Sequence, residues 1–229
     1  MTETWWLHLT WVLAAILLGF GLTAVFAGWL RLSRRIFLVV YVISTSVFLY
    51  AFGRWSGVDL GAIIRQDWIW SLIAGVAAGA FLATTVRSQP DSQESTGGAL
   101  FFDMAWLGLV YGLIDALFLN VMPVLVTWEA FSQLGWTDSR MGIIAVGALA
   151  LLASLLVTAG YHLGYPEFRN SKLGLVLLGN SIITLAYILP GNPLGAMISH
   201  VVMHLAAVYR GPETTIQLPP HYQRHVQQT

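Results

Sequence analysis

Residues 101–128 read FFDMAWLGLVYGLIDALFLNVMPVLVTW, and this stretch decides the class of fold. It is apolar over more than the roughly 20 residues that a helix needs to cross a bilayer. Asp115 lies near its middle, and burying a carboxylate at that depth costs about 2.5–3.5 kcal/mol on insertion scales. Such a group normally persists only where it faces a cavity, a metal or a partner. Asp115 is therefore the first candidate for a functional site.

The whole chain has the composition of an integral membrane protein. Of its 229 residues, 57% are hydrophobic and 10% are charged, whereas a soluble domain averages about 25% charged residues. The mean hydropathy is +0.71. The net charge is zero, so nothing favours nucleic acid as a partner, and the lack of cysteine excludes thiolate chemistry and cysteine-ligated zinc. We expect one membrane domain over residues 1–229, in contact with the lipid bilayer of the plasma or inner membrane.

Outward from residues 101–128, apolar stretches alternate with short polar segments, and we predict an all-α fold of seven transmembrane helices. The seven stretches are about 5–30, 36–53, 68–86, 101–128, 141–163, 173–189 and 193–209. Residues 87–98 are predicted to be a flexible loop, and residues 210–229 a polar tail. Met1 to Thr4 lacks the basic region of a signal peptide, so we expect the first stretch to stay in the membrane.

The placement of lysine and arginine predicts the orientation. With the N-terminus outside and the C-terminus in the cytoplasm, eight of the 11 basic residues fall on the cytoplasmic side, as the positive-inside rule requires. The eight are Arg31, Arg34, Arg35, Arg87, Arg169, Lys172, Arg210 and Arg224, and the three outside are Arg54, Arg65 and Arg140. This bias supports an odd number of spans.

Three histidines also fall in apolar stretches. His200 and His204 are one helical turn apart, so both project from one face of the seventh helix, in a spacing often used to bind a metal. His162 lies between Gly160 and Gly164, nearer the cytoplasmic end of the fifth helix. A tilt or shift of that helix is needed to bring His162 to the depth of the other two.

One carboxylate and three imidazoles are a chemically sensible set of metal ligands. We therefore predict that Asp115, His162, His200 and His204 converge in one pocket and hold a divalent metal, with zinc favoured. Asn120 and Tyr161 are predicted to support this site.

Residues 111–120, YGLIDALFLN, resemble the first motif of the CAAX-protease and bacteriocin-processing (CPBP) family of intramembrane metalloproteases. That motif is Glu-Glu-x-x-x-Arg on a transmembrane helix. Asp115, Ala116 and Asn120 stand at its three defined positions. The loss of both the second Glu and the Arg is consistent with the loss of one ion pair.

Two later segments are similar to the remaining motifs of that family. His162 follows in the order of the second motif, in which an aromatic residue precedes the histidine by four positions and Thr158 stands here instead. Residues 192–204, NPLGAMISHVVMH, resemble the third motif, His-x-x-x-Asn, with His200 at the His position and His204 at the Asn position.

The resemblance covers about residues 101–209 and implies an intramembrane metal-dependent protease, or its inactive descendant, acting on a membrane-embedded peptide or protein. It implies that Asp115, His162, His200 and His204 surround the catalytic water or metal. In the resulting hypothesis the imidazoles hold the metal, and Asp115 takes a proton from the water that attacks a peptide carbonyl.

Two other functions remain open at this point. Small residues at 75–80, GVAAGA, favour close helix packing, as in a non-catalytic subunit or scaffold of a larger membrane complex whose histidines bind haem or a pigment. Asp115 and the histidines also suit the proton relay of a proton-coupled transporter, with the break at residues 190–193 lining its cavity.

Overall fold

The computed structural model describes residues 5–212 and residue 214 of the chain, and within them every regular element is helical. The predicted all-α fold is confirmed. The helices are α1 (Trp5–Trp29), α2 (Arg34–Ser56), α3 (Leu60–Arg65), α4 (Trp68–Arg87), α5 (Gly97–Ser132), α6 (Arg140–Leu163), α7 (Lys172–Ile188) and α8 (Leu194–Arg210). Five of them, α1, α2, α4, α5 and α6, are long and apolar enough to cross a membrane, and α7 and α8 are shorter apolar helices.

Each predicted apolar stretch is a helix with ends within a few residues of the prediction, except that one helix is longer and one short helix is additional. The fourth stretch extends to the 36 residues of α5, about 54 Å at the rise of an α-helix, so that its ends reach beyond the roughly 30 Å of a bilayer core. The short α3 lies between the second and third apolar stretches, in a segment where no helix was predicted. Asp59 begins it, because its carboxylate accepts the backbone N–H of Ala62 at 2.9 Å.

One end of the helix bundle is joined by contacts of charged side chains. Arg35, at the start of α2, donates to both carboxylate oxygens of Asp103 near the start of α5, at 2.7 and 2.9 Å. Arg210, at the end of α8, donates to the carbonyl of Gln89 just after α4, at 2.7 Å. We call this the Arg210 end of the bundle.

The opposite end is joined by amide groups. Asn192, between α7 and α8, donates to the carbonyls of Ile63 and Ile64 in α3 at 3.1 and 3.0 Å. His8, in the second turn of α1, contacts the side-chain amide of Gln133 just after α5 at 2.9 Å. The long and apolar helices therefore alternate in direction, each leading from one end to the other. Residues 190–193 lie at this Asn192 end and do not line the cavity described below.

Two π-helical segments, Met104–Val110 and Ala116–Val121, interrupt α5. The second one precedes Pro123, which has no N–H to donate to the carbonyl of Leu119 four residues earlier. The hydroxyl of Ser154 in α6 donates to that carbonyl instead, at 2.7 Å. Because lipid offers no donors, a side chain from a neighbouring helix has to satisfy a carbonyl that proline leaves unpaired.

The helix α8 lies against α4 with almost no space between the two backbones. A Cβ atom added at Gly75 would come within 2.8 Å of the carbonyl oxygen of Gly195, and one at Gly79 within 3.0 Å of Val202. Both glycines are buried, whereas Ala77 is exposed. Gly75 and Gly79 thus serve packing within the chain, and they hold α8, with its histidines, in the interior of the bundle.

Candidate functional site

Three of the four predicted ligands meet in the interior of the bundle. Asp115 in α5 and His200 and His204 in α8 each offer one donor atom, and these atoms lie within 4.8 Å of one another. All three residues are buried, at 3%, 4% and 3% exposure. Oδ2 of Asp115 lies 3.5 Å from Nε2 of His204 and 4.0 Å from Nε2 of His200. We call these three residues the Asp-His-His cluster.

The 3.5 Å between Oδ2 of Asp115 and Nε2 of His204 is close to the spacing of two ligands of one ion, whereas the 4.0 Å to Nε2 of His200 is wider. A good N–H···O hydrogen bond has its heavy atoms about 2.7–3.2 Å apart. Two ligands of a tetrahedral zinc ion are about 3.4 Å apart, given bonds of about 2.1 Å. Two imidazoles and a carboxylate are also ligands that zinc and several other divalent metals accept. The Asp-His-His cluster could therefore hold a metal ion.

The other oxygen of Asp115 is held by α2. The phenol of Tyr41, which is fully buried, donates to Oδ1 of Asp115 at 2.5 Å. Because Oδ1 is already bound, the carboxylate is fixed with Oδ2 toward the imidazoles. Tyr41 was not predicted as a site residue, although it is a polar side chain in the middle of an apolar stretch.

Asn120 sets the protonation of His200. Its side-chain nitrogen donates to Oδ1 of Asn180 and to Oγ1 of Thr184, both at 2.8 Å. Its oxygen therefore faces Nδ1 of His200, at 2.8 Å, and can only accept. The hydrogen of His200 lies on Nδ1, which leaves the lone pair of Nε2 directed at Asp115. A metal-binding histidine is commonly oriented by a hydrogen bond of this kind.

Behind Asn120 is a buried polar network that was not predicted from the sequence. The amide of Asn180 donates to the hydroxyl of Ser154 at 2.9 Å, and the hydroxyl of Thr184 donates to the carbonyl of Asn180 at 2.8 Å. These residues belong to α6 and α7, so the network connects both helices to α5. This network could have been predicted from the sequence. Asn180 places an amide within an apolar stretch, just as Asp115 places a carboxylate within another.

The π-helical segment Ala116–Val121 allows Asp115 and Asn120 to face the same helix. In an α-helix, residues five apart point about 140° away from each other. A π-helical turn instead pairs the backbone of residue i with that of residue i+5. Asp115 and Asn120 consequently both reach α8. Such turns are frequent at functional sites.

The fourth predicted ligand, His162, lies near the Asp-His-His cluster without joining it. It lines the same cavity, but it is outside the group of donor atoms within 4.8 Å. Its Nδ1 donates to the carbonyl of Thr158 at 2.9 Å, and its ring packs edge-on against Phe168. Because a carbonyl only accepts, Nε2 of His162 carries the lone pair.

Tyr161, predicted to support the site, acts through a second tyrosine. Its hydroxyl is hydrogen-bonded to that of Tyr111 and lies 3.1 Å from that of Tyr165. Tyr111 lines the cavity, and its ring lies edge-on to His204 with centroids 4.7 Å apart. Burial raises the pKa of Tyr165, which lies between α6 and α7, so this phenol remains a donor.

The Asp-His-His cluster and His162 border one cavity of about 290 Å³. Two residues that border this cavity also carry a buried polar atom without a hydrogen-bond partner among residues 5–212, namely the hydroxyl oxygen of Thr158 and Nδ1 of His204. Buried polar groups are rarely left unpaired, so each is available to a ligand or a water molecule.

Comparison with protein-family models, curated proteins and solved structures finds no match for this chain.

Proposed function

We propose that the protein is a CPBP-like intramembrane hydrolase whose divalent metal, zinc by preference, is bound by Asp115, His200 and His204. The observation that carries the proposal is the cluster of three buried donor atoms within 4.8 Å. Two histidines and one carboxylate, with one position left for water or substrate, are a ligand set of catalytic zinc in metallopeptidases. The order of Asp115, His162 and His200 along the chain also resembles that family's motifs.

A divalent ion in this cluster would polarise a carbonyl group and lower the pKa of a bound water. The residues around it have complementary tasks. Tyr41 and Asn120 orient Asp115 and His200, since each binds the atom that faces away from the cluster. The free hydroxyl of Thr158 is a donor for the carbonyl oxygen of a substrate, where negative charge develops.

The geometry supports His162, rather than Asp115, as the general base. Both oxygens of Asp115 are engaged, one by Tyr41 and one by the cluster, whereas His162 brings a lone pair to the cavity. Water attacks the carbonyl carbon of a peptide bond, and Nε2 of His162 takes the proton of that water. His162 then returns the proton to the departing amine as the C–N bond breaks.

We also propose that all seven long or apolar helices cross the plasma or inner membrane, with the N-terminus outside. The alternation of these helices between the two ends of the bundle supports this. The helices α7 and α8 have 17 residues each, so each is about 26 Å long, close to the roughly 30 Å of a bilayer core. The excess of arginine and lysine near the Arg210 end supports a cytoplasmic position for that end.

Hydrolysis is tested with the full chain in proteoliposomes that contain internally quenched peptides carrying a hydrophobic anchor. We expect cleavage that a membrane-permeant chelator stops and added zinc restores. The Asp115→Asn and His204→Ala variants lose turnover, because each removes a ligand. His8→Ala is the matched control, since His8 is also a buried histidine of a membrane helix but lies at the Asn192 end.

Full activity of Asp115→Asn would contradict the proposal, provided that both variants keep the wild-type helix content by circular dichroism. Purified wild-type protein without metal and without cleavage would favour a non-catalytic membrane subunit instead. Uptake driven by a proton gradient and lost in Asp115→Asn would favour a transporter.

A further inference from the structure

The cavity beside the Asp-His-His cluster continues outward to the flank of the bundle, between α4 and α7. Its inner end is polar and buried. Its outer rim consists of side chains that are among the most exposed of these two helices, namely Phe81 at 57%, Leu175 at 64% and Leu178 at 62%. The cavity is therefore not closed within the bundle but opens sideways between two helices.

The walls between the rim and the cluster are mostly apolar. Leu82 and Val86 of α4, Ile183 of α7 and Met203 of α8 line them, and all four are buried. Among the described residues that border the cavity, Asp115 is the sole carboxylate, and none is lysine or arginine. A ligand that fills this passage has to be apolar along most of its length.

A glycine keeps the opening wide. Gly179 of α7 lines the cavity, and a Cβ atom added there would meet one atom of Leu82 on α4, at 4.0 Å. That is an ordinary van der Waals distance, so glycine is not required here for close contact of the two helices. Because Gly179 has no side chain, the cavity stays open at the point where it reaches the flank of the bundle.

The inner part of the rim, at Phe81 and Leu178, lies at a depth where a bilayer presents hydrocarbon, and Leu175 and Gln89 continue the rim toward the Arg210 end. Phe81 is six residues before Arg87, the last residue of α4, and Leu178 is six residues after Lys172, the first residue of α7. Both positions are therefore about 9 Å from the helix ends at the Arg210 end of the bundle. Acyl chains, not lipid headgroups or loops, surround a membrane helix at that depth.

We propose that this passage binds the acyl chain of a single-chain lipid ester, which enters from the bilayer between α4 and α7. The chain lies along Leu82, Val86 and Ile183, and its ester carbonyl accepts a hydrogen bond from Thr158, a residue that lines the cavity and whose buried hydroxyl has no partner among residues 5–212. This site goes beyond the proposed hydrolase, because it requires neither a metal nor any cleavage.

The test uses a monoacylglycerol with a photoreactive diazirine in the middle of its acyl chain, added to the full protein in nanodiscs. After irradiation, mass spectrometry locates the labelled peptides. We expect labelling within residues 81–86 and 175–183, and its loss in Gly179→Trp, whose ring fills the opening. Gly174→Trp, on the same helix with open space around it, keeps the labelling.

Further variants separate binding from folding and from hydrolysis. Gly179→Leu is a smaller obstruction that also lowers labelling and covers the case in which the tryptophan variant does not fold. Wild-type protein treated with a membrane-permeant chelator keeps the labelling although it loses metal, so the lipid site can fail or succeed independently of the hydrolase. Thr158→Val lowers labelling by the ester but not by a diazirine alkane without a carbonyl group.

Unchanged labelling in both Gly179 variants would overturn the proposal. So would labels spread evenly over the outer faces of α1 and α2, because they would mean that the probe samples only the lipid around the protein.

Discussion

The side-chain oxygen of Asn120 and Nδ1 of His200 lie 2.8 Å apart, and this contact decides which nitrogen of His200 faces Asp115. The amide cannot turn round without losing its own bonds to Asn180 and Thr184. The protonation state of His200 is therefore set by Asn120 of α5, which two side chains of α7 hold in place, rather than by the cluster itself. Asn120 is a positioning residue in this account.

Asn120→Leu tests that role. With no acceptor at Nδ1, the imidazole of His200 loses its preferred tautomer and orientation, and we expect metal affinity to fall about 10- to 100-fold, as for other residues that orient metal ligands. Competition with a chromophoric chelator measures the affinity. Asn170→Leu, at an exposed position between α6 and α7, is the control. Equal affinities in the two variants would remove Asn120 from the site.

The bond from Ser154 to the carbonyl of Leu119 gives a second prediction, about stability. Ser154→Ala leaves that carbonyl and the amide of Asn180 short of a partner, at about 1–3 kcal/mol for an unsatisfied buried group. Pro123→Ala restores a backbone N–H four residues after Leu119. We therefore expect the double variant to be less destabilised than the sum of the two single variants, as measured by unfolding in mixed detergent micelles. If the changes in the free energy of unfolding simply add, Pro123 and Ser154 act independently of each other.

The contact between α4 and α8 gives a third prediction. Gly75→Ala brings a methyl group against the backbone of Gly195, so we expect a loss of stability and of bound metal, because α8 carries both histidines. Gly53→Ala in α2 has open space around it and is the control. We expect it to stabilise by about 0.5–1 kcal/mol, through reduced freedom of the unfolded chain. Equal melting temperatures for the two variants would contradict the close packing.

The sequence predicted the apolar helices and all three residues of the Asp-His-His cluster because both follow from one rule, that polar groups are rare in apolar stretches long enough to cross a membrane. Asp115 stood out as a carboxylate, and the spacing of His200 and His204 placed them on one face. The same rule, applied to hydroxyls and amides, would also have found Tyr41 and Asn180. The helix α3 could have been predicted from Asp59, a good N-cap before an apolar run.

Other features could not be read from the sequence. The π-helical segment after Asp115 changes which residues share a face, and the carbonyl of Leu119 within it is bound by Ser154 of another helix. The distance of His162 from the cluster depends on how α6 packs against α1. There Gly160 lies directly against Ile16, since an added Cβ would come within 2.8 Å of its side chain. Contacts between distant segments of this kind leave no local pattern.

The fourth prediction concerns membrane orientation, and the absence of native cysteine makes it simple to test. Glu94→Cys and Asn170→Cys lie in segments at the Arg210 end, and Asp138→Cys lies at the Asn192 end, all at exposed positions. We expect a membrane-impermeant maleimide to label Asp138→Cys on intact cells, and the other two only after the membrane is opened. Labelling of Glu94→Cys on intact cells would reverse the orientation.

The most direct test of the metal centre is elemental analysis of freshly purified protein, alongside Asp115→Asn, His204→Ala and the control His8→Ala. We expect a stoichiometric divalent metal in the wild type and in the control, and its loss from both cluster variants. A wild-type protein that carries no metal and takes up none on exposure to zinc, or a metal that survives in both cluster variants, would contradict this expectation.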